Sequence, residues 1–314
     1  MGDDLGVPGH ARLLPRRRLR QPRRLAGRDP RRRGAARFLK ARLRRLALPL
    51  VPWVACWAVF DLAMLAAGRP SVLHWGAAVL APLWFLGVYG AAVAAVPLTA
   101  RAHLAWGWRV PAVLAVAVLA ADTLRLGLGW GQPVVGLAGS LAVWLFAHQL
   151  GYFWRDGTLL AGGWRRPAAV ATAGLLGLVL LTTLGPYPRS MVSVAGERMS
   201  NMFPTTAPVM ALAVFQLGLA LLARPALAAW LRRRGPWRAV VVANSLTMPV
   251  FVWHMTALVA FLWLYERAGF VLATETSTTW WLTRWVWVVG PGVLLAAILA
   301  VLARVRRVRR AGAR

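Results

Sequence analysis

Asn244–Leu264, NSLTMPVFVWHMTALVAFLWL, is a run of 21 residues with almost unbroken apolar character. Wound as a helix at ~1.5 Å per residue, such a run crosses the ~30 Å hydrocarbon core of a bilayer. His254 sits in its middle, between Trp253 and Met255. An ionisable group at membrane depth costs roughly 2.5 kcal/mol or more unless it faces protein or water, which makes His254 a candidate functional residue. The competing reading is a neutral imidazole bonded to a neighbouring helix, with Asn244, Ser245 and Thr247 close enough to supply partners.

The rest of the chain repeats the pattern. Further apolar spans fall at about 46–67, 75–98, 110–128, 133–154, 167–184, 206–223 and 285–303. The expected fold is therefore all-α, a polytopic membrane helical bundle of about eight transmembrane helices. With 59% apolar residues and a mean hydropathy of +0.57, a water-soluble globule is excluded, because it would expose large apolar patches. The 18 tryptophans fit bilayer interfaces, where indole rings concentrate.

The net charge of +29 does not indicate nucleic acid. Beyond the first 45 residues the arginines lie in short runs between apolar spans, which is a membrane-topology pattern. One set of alternate links holds Arg101 and Arg109, then Arg155, Arg165 and Arg166, then Arg224, Arg232–Arg234 and Arg238, then the tail Arg304–Arg314. The opposite set is poor in arginine. The excess marks the cytoplasmic side, so both termini are expected in the cytoplasm of a multi-pass inner or plasma membrane protein. Pro186–Thr206 and Glu266–Trp280 then form outer loops. The single cysteine, Cys56, excludes a disulfide framework, and no His/Cys/Glu set has metal-ligand spacing. Glycine-rich phosphate loops and serine-elbow motifs are also missing.

Three regions follow. Residues 1–37 are Arg/Pro/Gly-rich, with no helical apolar period and no signal-peptide core. They read as disordered, or as GC-rich coding sequence translated out of frame. Residues 38–303 form the transmembrane domain, entered through a basic amphipathic helix that begins at Phe38. Residues 304–314 are a basic tail.

A few polar residues inside the spans can carry chemistry. Asp61 lies in the first span. Asp122 and Arg125, three apart, share a helix face and can neutralise each other. His148, followed by Gln149, is either an interfacial histidine in contact with water or a general base that takes a proton from an attacking hydroxyl. Arg42 and Arg45 are one helical turn apart at the membrane surface, suited to topology, to anionic lipid or to gripping a phosphate between two guanidinium forks.

Phe38-x-x-x-Arg42-x-x-Arg45-Leu before a Pro-led span, with Leu83-Trp84-Phe85-Leu86 in the next, resembles the integral-membrane acyltransferase-3 family, the O-acyltransferases of bacterial cell envelopes. Trp144-Leu-Phe-Ala-His148-Gln149-Leu-Gly-Tyr-Phe-Trp154-Arg155-Asp156-Gly157 and the late Asn244…Phe251-Val-Trp253-His254-Met255 add to the likeness. The resemblance implies an enzyme that moves an acyl group, usually acetyl, from cytoplasmic acyl-CoA to a hydroxyl of a carbohydrate or lipid-linked acceptor, with no permanently bound cofactor. It also implies that Arg42 and Arg45 hold the donor's phosphates. The family's bundle has about ten helices, against eight spans here, and its first helix carries a histidine base ahead of the Arg motif. Only the Arg-rich segment with His10 stands there, so the chain reads as having lost the first two helices. Weak activity is expected, since losing a base costs roughly 10²–10⁴-fold. His148 and His254 remain as candidate bases, with Asp122 to orient an imidazole or hold Arg125. The rival readings are a transporter or flippase of an envelope precursor, using the same buried polar groups as a path, and a non-catalytic scaffold binding anionic lipid.

Overall fold

The computed structural model describes residues 30–69, 73–131, 133–192, 199–270 and 277–311. Most of the Arg/Pro/Gly-rich segment, His10 and the end of the tail lie outside the described residues, as do the side chains of Phe38 and Arg45. Ten α-helices occupy the described part: α1 Pro30–Ala47, α2 Leu50–Ala66, α3 Leu73–Trp106, α4 Arg109–Asp122, α5 Val134–Arg155, α6 Arg165–Thr183, α7 Ala207–Leu231, α8 Arg234–Arg267, α9 Thr278–Thr283 and α10 Val286–Ala311. A π-helical turn, Thr123–Gly127, closes α4. No β-strand occurs among the described residues. The basic helix expected from Phe38 begins earlier, at Pro30, where a proline is pre-set for a first helical turn.

Seven helices are long and apolar enough to cross a membrane, and α2, at 17 residues, falls just short of that length. Each lies on one of the eight expected spans. Their outward faces carry large apolar side chains, among them Leu98, Leu104, Val113 and Val288, as lipid-facing surfaces do. One end of the bundle, rich in arginine, holds the links 107–108, 156–164 and 232–233; the other holds the link from α6 to α7.

Two groups of helices share the bundle. In one, Val118 of α4, Ala142 and Val143 of α5, and Ala207 and Val209 of α7 form a buried cluster. In the other, Trp53 of α2, Val79 of α3, and Val252 and Trp253 of α8 pack with Leu295, Ile298 and Leu302 of α10. The indole N–H groups of Trp53 and Trp57 both donate to Thr256 Oγ1, at 3.2 and 3.1 Å, tying α2 to α8. Helices α3 and α5 join the two groups.

Helices α6 and α7 meet through small residues, which let membrane helices approach backbone to backbone. A Cβ on Gly174 would overlap the backbone of Phe215, and one on Gly218 the backbone of Ala171. Gly218→Val is therefore expected to destabilise the bundle by about 1–3 kcal/mol, the usual range for overpacking. Thermal unfolding in detergent would register the loss; an unshifted midpoint would mean that this seam does not hold the helices together.

The link between α6 and α7 does not stay at the surface. Its Thr205 N–H donates to Ser140 Oγ, and Trp144 Nε1 donates to Thr205 Oγ1 at 3.3 Å. Ser140 is six residues into α5, about 9 Å below its start. Irregular backbone at this depth is tolerated where protein satisfies its polar groups. Asn201, fully buried, does so by donating to the carbonyls of Pro188 and Ser190 while accepting from Thr206 Oγ1. Gly136 is where the dipping link presses closest: a Cβ there would lie 2.7 Å from Pro204 Cγ.

Candidate functional site

A cavity of about 330 Å³ opens between α1, α3 and α5. Arg42 reaches it from α1; Phe85, Tyr89 and Val96 line it from α3; Trp144 and His148 face it from α5. The sequence puts these side chains on shared faces, because residues three, four and seven apart stack along a helix. Thus Phe85, Tyr89, Val93 and Val96 form one stripe, and Trp144 and His148 another. His148 lies seven residues from the α5 terminus at Arg155, so its imidazole sits about 10 Å in from the arginine-rich end.

Among the described residues this cavity brings Arg42 together with His148, residues 106 positions apart in the sequence. His148 Nδ1 is buried without a hydrogen-bond partner, and its ring lies 5.0 Å from that of Tyr152. Neighbouring Gln149, fully buried where His148 is only partly so, donates from Nε2 to the Thr99 carbonyl at 3.0 Å, which sets α5 against α3. The upper wall is aromatic: Phe85 lies 5.1 Å from Trp144 and 5.5 Å from Phe251, and Trp84 lies 5.4 Å from Phe203 of the dipping link. An apolar wall with one guanidinium and one imidazole can hold the uncharged part of a ligand, its anionic part and a hydroxyl proton.

His254 is not among the lining residues. It is exposed, and its Nδ1 lies 2.7 Å from the Phe251 carbonyl. A carbonyl only accepts, so Nδ1 carries the proton, and the imidazole is bonded within its own helix. One aromatic ring, Phe251, separates it from Phe85 and the cavity.

Asp122 lies elsewhere, where the link from α6 to α7 enters α7. It is buried, 3.5 Å from Arg125 Nη2, and its Oδ2 accepts from Tyr187 Oη at 2.9 Å and from the Ala207 N–H at 2.8 Å. Ala207 is the first residue of α7, so the carboxylate also sits at a helix N-terminus, where anions are favoured. Burial, reinforced by the Asp122 charge, raises the Tyr187 phenol above its usual range, so it stays protonated and donates. None of these groups lines the cavity. Asp122 thus faces Arg125, Tyr187 and the start of α7.

One polar pair was not singled out from sequence. His103 Nε2, near the end of α3, donates to Asp156 Oδ2 at 3.0 Å. Asp156 ends α5, and its other oxygen accepts from the Thr158 N–H and hydroxyl, at 2.9 and 2.6 Å. These two bonds lead in holding the carboxylate below its usual range, with His103 adding less. The folded-state value being depressed, the bridge from α3 to α5 persists above the ordinary aspartate range and is lost as pH falls through the lowered value. The residues are 53 apart, and His103 reads in sequence as one more member of a basic link. The Asp-Gly-Thr turn at 156–158 is the one local signal that a carboxylate is being fixed there.

The geometry defines the class: a multi-pass α-helical membrane protein with a cavity entered beside a basic helix. The sequence model for an acyltransferase domain matches residues 24–305, nearly the whole chain, and the protein belongs to the acyltransferase-3 family. No curated protein and no solved structure matches the chain.

Proposed function

We propose that the chain is a membrane-embedded O-acyltransferase that takes an acyl group, acetyl in the simplest case, from acyl-CoA on the cytoplasmic side and places it on a hydroxyl of an envelope carbohydrate or glycolipid. The observation that carries this reading is the shared cavity of Arg42 and His148 in a member of this family. The arginine-rich end is then the cytoplasmic face.

Arg42, with Arg45 one turn further along α1, binds donor phosphate through charge-assisted hydrogen bonds. This orients the thioester toward the cavity. The apolar stripe from Phe85 to Val96 receives the acyl end and excludes water. His148 takes the acceptor's hydroxyl proton as the oxygen attacks the thioester carbonyl; the C–O bond forms, the C–S bond breaks, and the thiolate leaves to be protonated.

Binding of acetyl-CoA to the detergent-purified chain tests this. Charge-assisted bonds contribute about 1.5–3 kcal/mol each, so Arg42→Ala should weaken binding by roughly 10- to 100-fold, and Arg42→Lys by less. Equal affinity in the three proteins would remove the donor site. Flux of an envelope precursor in vesicles without any acyl donor would favour transport instead.

A further inference from the structure

Among the described residues, four buried side-chain nitrogen or oxygen atoms have no hydrogen-bond partner, and three of them lie at the seam between α3 and α5: His103 Nδ1, His148 Nδ1 and Gln149 Oε1. Buried polar atoms are rarely left so, and a cluster of them calls for an explanation. The seam is also where two stripes of functional side chains run side by side. Trp144, His148, Tyr152 and Asp156 recur every fourth residue along α5 to its end, and Val96, Thr99 and His103 continue the cavity-lining face of α3.

The contacts connect these stripes in order. The ring of Tyr152 lies 5.0 Å from that of His148 and 5.2 Å from that of His103, so one phenol touches both imidazoles. Its hydroxyl is 3.0 Å from Thr99 Oγ1. His103 then donates from Nε2 to Asp156, whose side chain is 42% exposed at the arginine-rich end. A carboxylate only accepts, so neutral His103 keeps its proton on Nε2 and turns a bare lone pair, Nδ1, into the buried seam. With Nε2 as the base, His148 turns an Nδ1 proton into the seam and His103 turns an acceptor into it; the Thr99 hydroxyl, which donates to the Ala95 and Val96 carbonyls, accepts from Tyr152 Oη. Unpaired buried polar atoms of this kind are where bridging waters settle.

We propose that His148, Tyr152 with Thr99, His103 and Asp156 form a proton path from the cavity to the arginine-rich face. The inference rests on the acyl-transfer reading for its purpose. In that reaction the acceptor hydroxyl loses a proton to His148, and the thiolate released when the C–S bond breaks gains one. The path hands the first proton to water at Asp156, and the departing thiolate is reprotonated on that same side, so the overall transfer balances without an added reactant. The two proton transfers then need not share one site or one moment. His103 and Asp156 touch neither substrate and act as positioning and relay groups. The other titratable groups facing His148 are Arg42 from α1 and Tyr89 from α3, both in the cavity.

The path is open to a test that needs no turnover. In the full chain labelled with ¹⁵N-histidine, the exchange of the His148 ring N–H with bulk water is measured by nuclear magnetic resonance. Tyr152→Phe keeps the ring packing and removes the hydroxyl; His103→Gln keeps a polar side chain and removes the relay. Exchange should slow by roughly tenfold or more in both, as lost acid–base transfer does. Unchanged exchange in either variant, with a folded spectrum, overturns the proposal. If Tyr152→Phe does not fold, Thr99→Ala replaces it under the same criterion. Loss of acetyl-CoA binding by the unmodified chain would instead defeat the acyl-transfer reading and leave the exchange result standing.

Discussion

His148→Ala is expected to lower acyl transfer by roughly 10²–10⁴-fold from whatever rate the chain sustains, the range for loss of a positioned general base. The donor's KM should hardly move, because Arg42, the residue proposed to bind the donor's phosphates, is untouched. That split separates chemistry from binding: an interaction made only in the transition state lowers kcat and kcat/KM together. His254→Ala should have a much smaller effect, since that imidazole bonds to its own helix and lies outside the cavity. If His254→Ala were the damaging change and His148→Ala the silent one, the assignment of the base would be reversed.

The second large effect concerns stability. Asp122→Ala removes the common partner of a guanidinium, a phenol and the first amide of α7. Removing one side of a buried ion pair costs about 3–5 kcal/mol, because the remaining charge is left without compensation. Asp122→Asn keeps an acceptor for Tyr187 or Ala207 while losing the charge, so it should fall between wild type and alanine. Thermal unfolding in detergent gives the order. Unshifted unfolding of Asp122→Ala combined with abolished transfer would return Asp122 to the catalytic role.

These two residues show how far reasoning from sequence reaches. The membrane spans were legible because hydropathy over some twenty residues is a strong local signal, and each expected span carries a helix. The meeting of Arg42 and His148 was not legible from spacing. It depends on α1 packing beside α3 and on the register of α3 against α5, which bonds from Gln149 to the Thr99 carbonyl, between Tyr152 and the Thr99 hydroxyl, and from His103 to Asp156 hold. The likeness to a family named both residues without placing them together.

Asp122 shows the same boundary. Its pairing with Arg125 follows from a three-residue spacing, but Tyr187 comes from a link read as an outer loop and Ala207 from the start of the span after it. Nothing local announces that this link descends to Ser140 and Trp144; the small residue at Gly136 that admits Pro204 is one glycine among 29. His103 went unnoticed because its partner is 53 residues away, and a histidine beside arginines reads as part of a charged link.

Every catalytic role proposed above requires the donor to occupy the space between α1, α3 and α5. A photoreactive acyl-CoA carrying its reactive group on the acyl chain measures this directly. Labelling should fall on residues 85–96 and 144–148, compete with free coenzyme A and fade in Arg42→Ala. Label that spreads over α6, α7 or α10, or that ignores coenzyme A and Arg42, would contradict it.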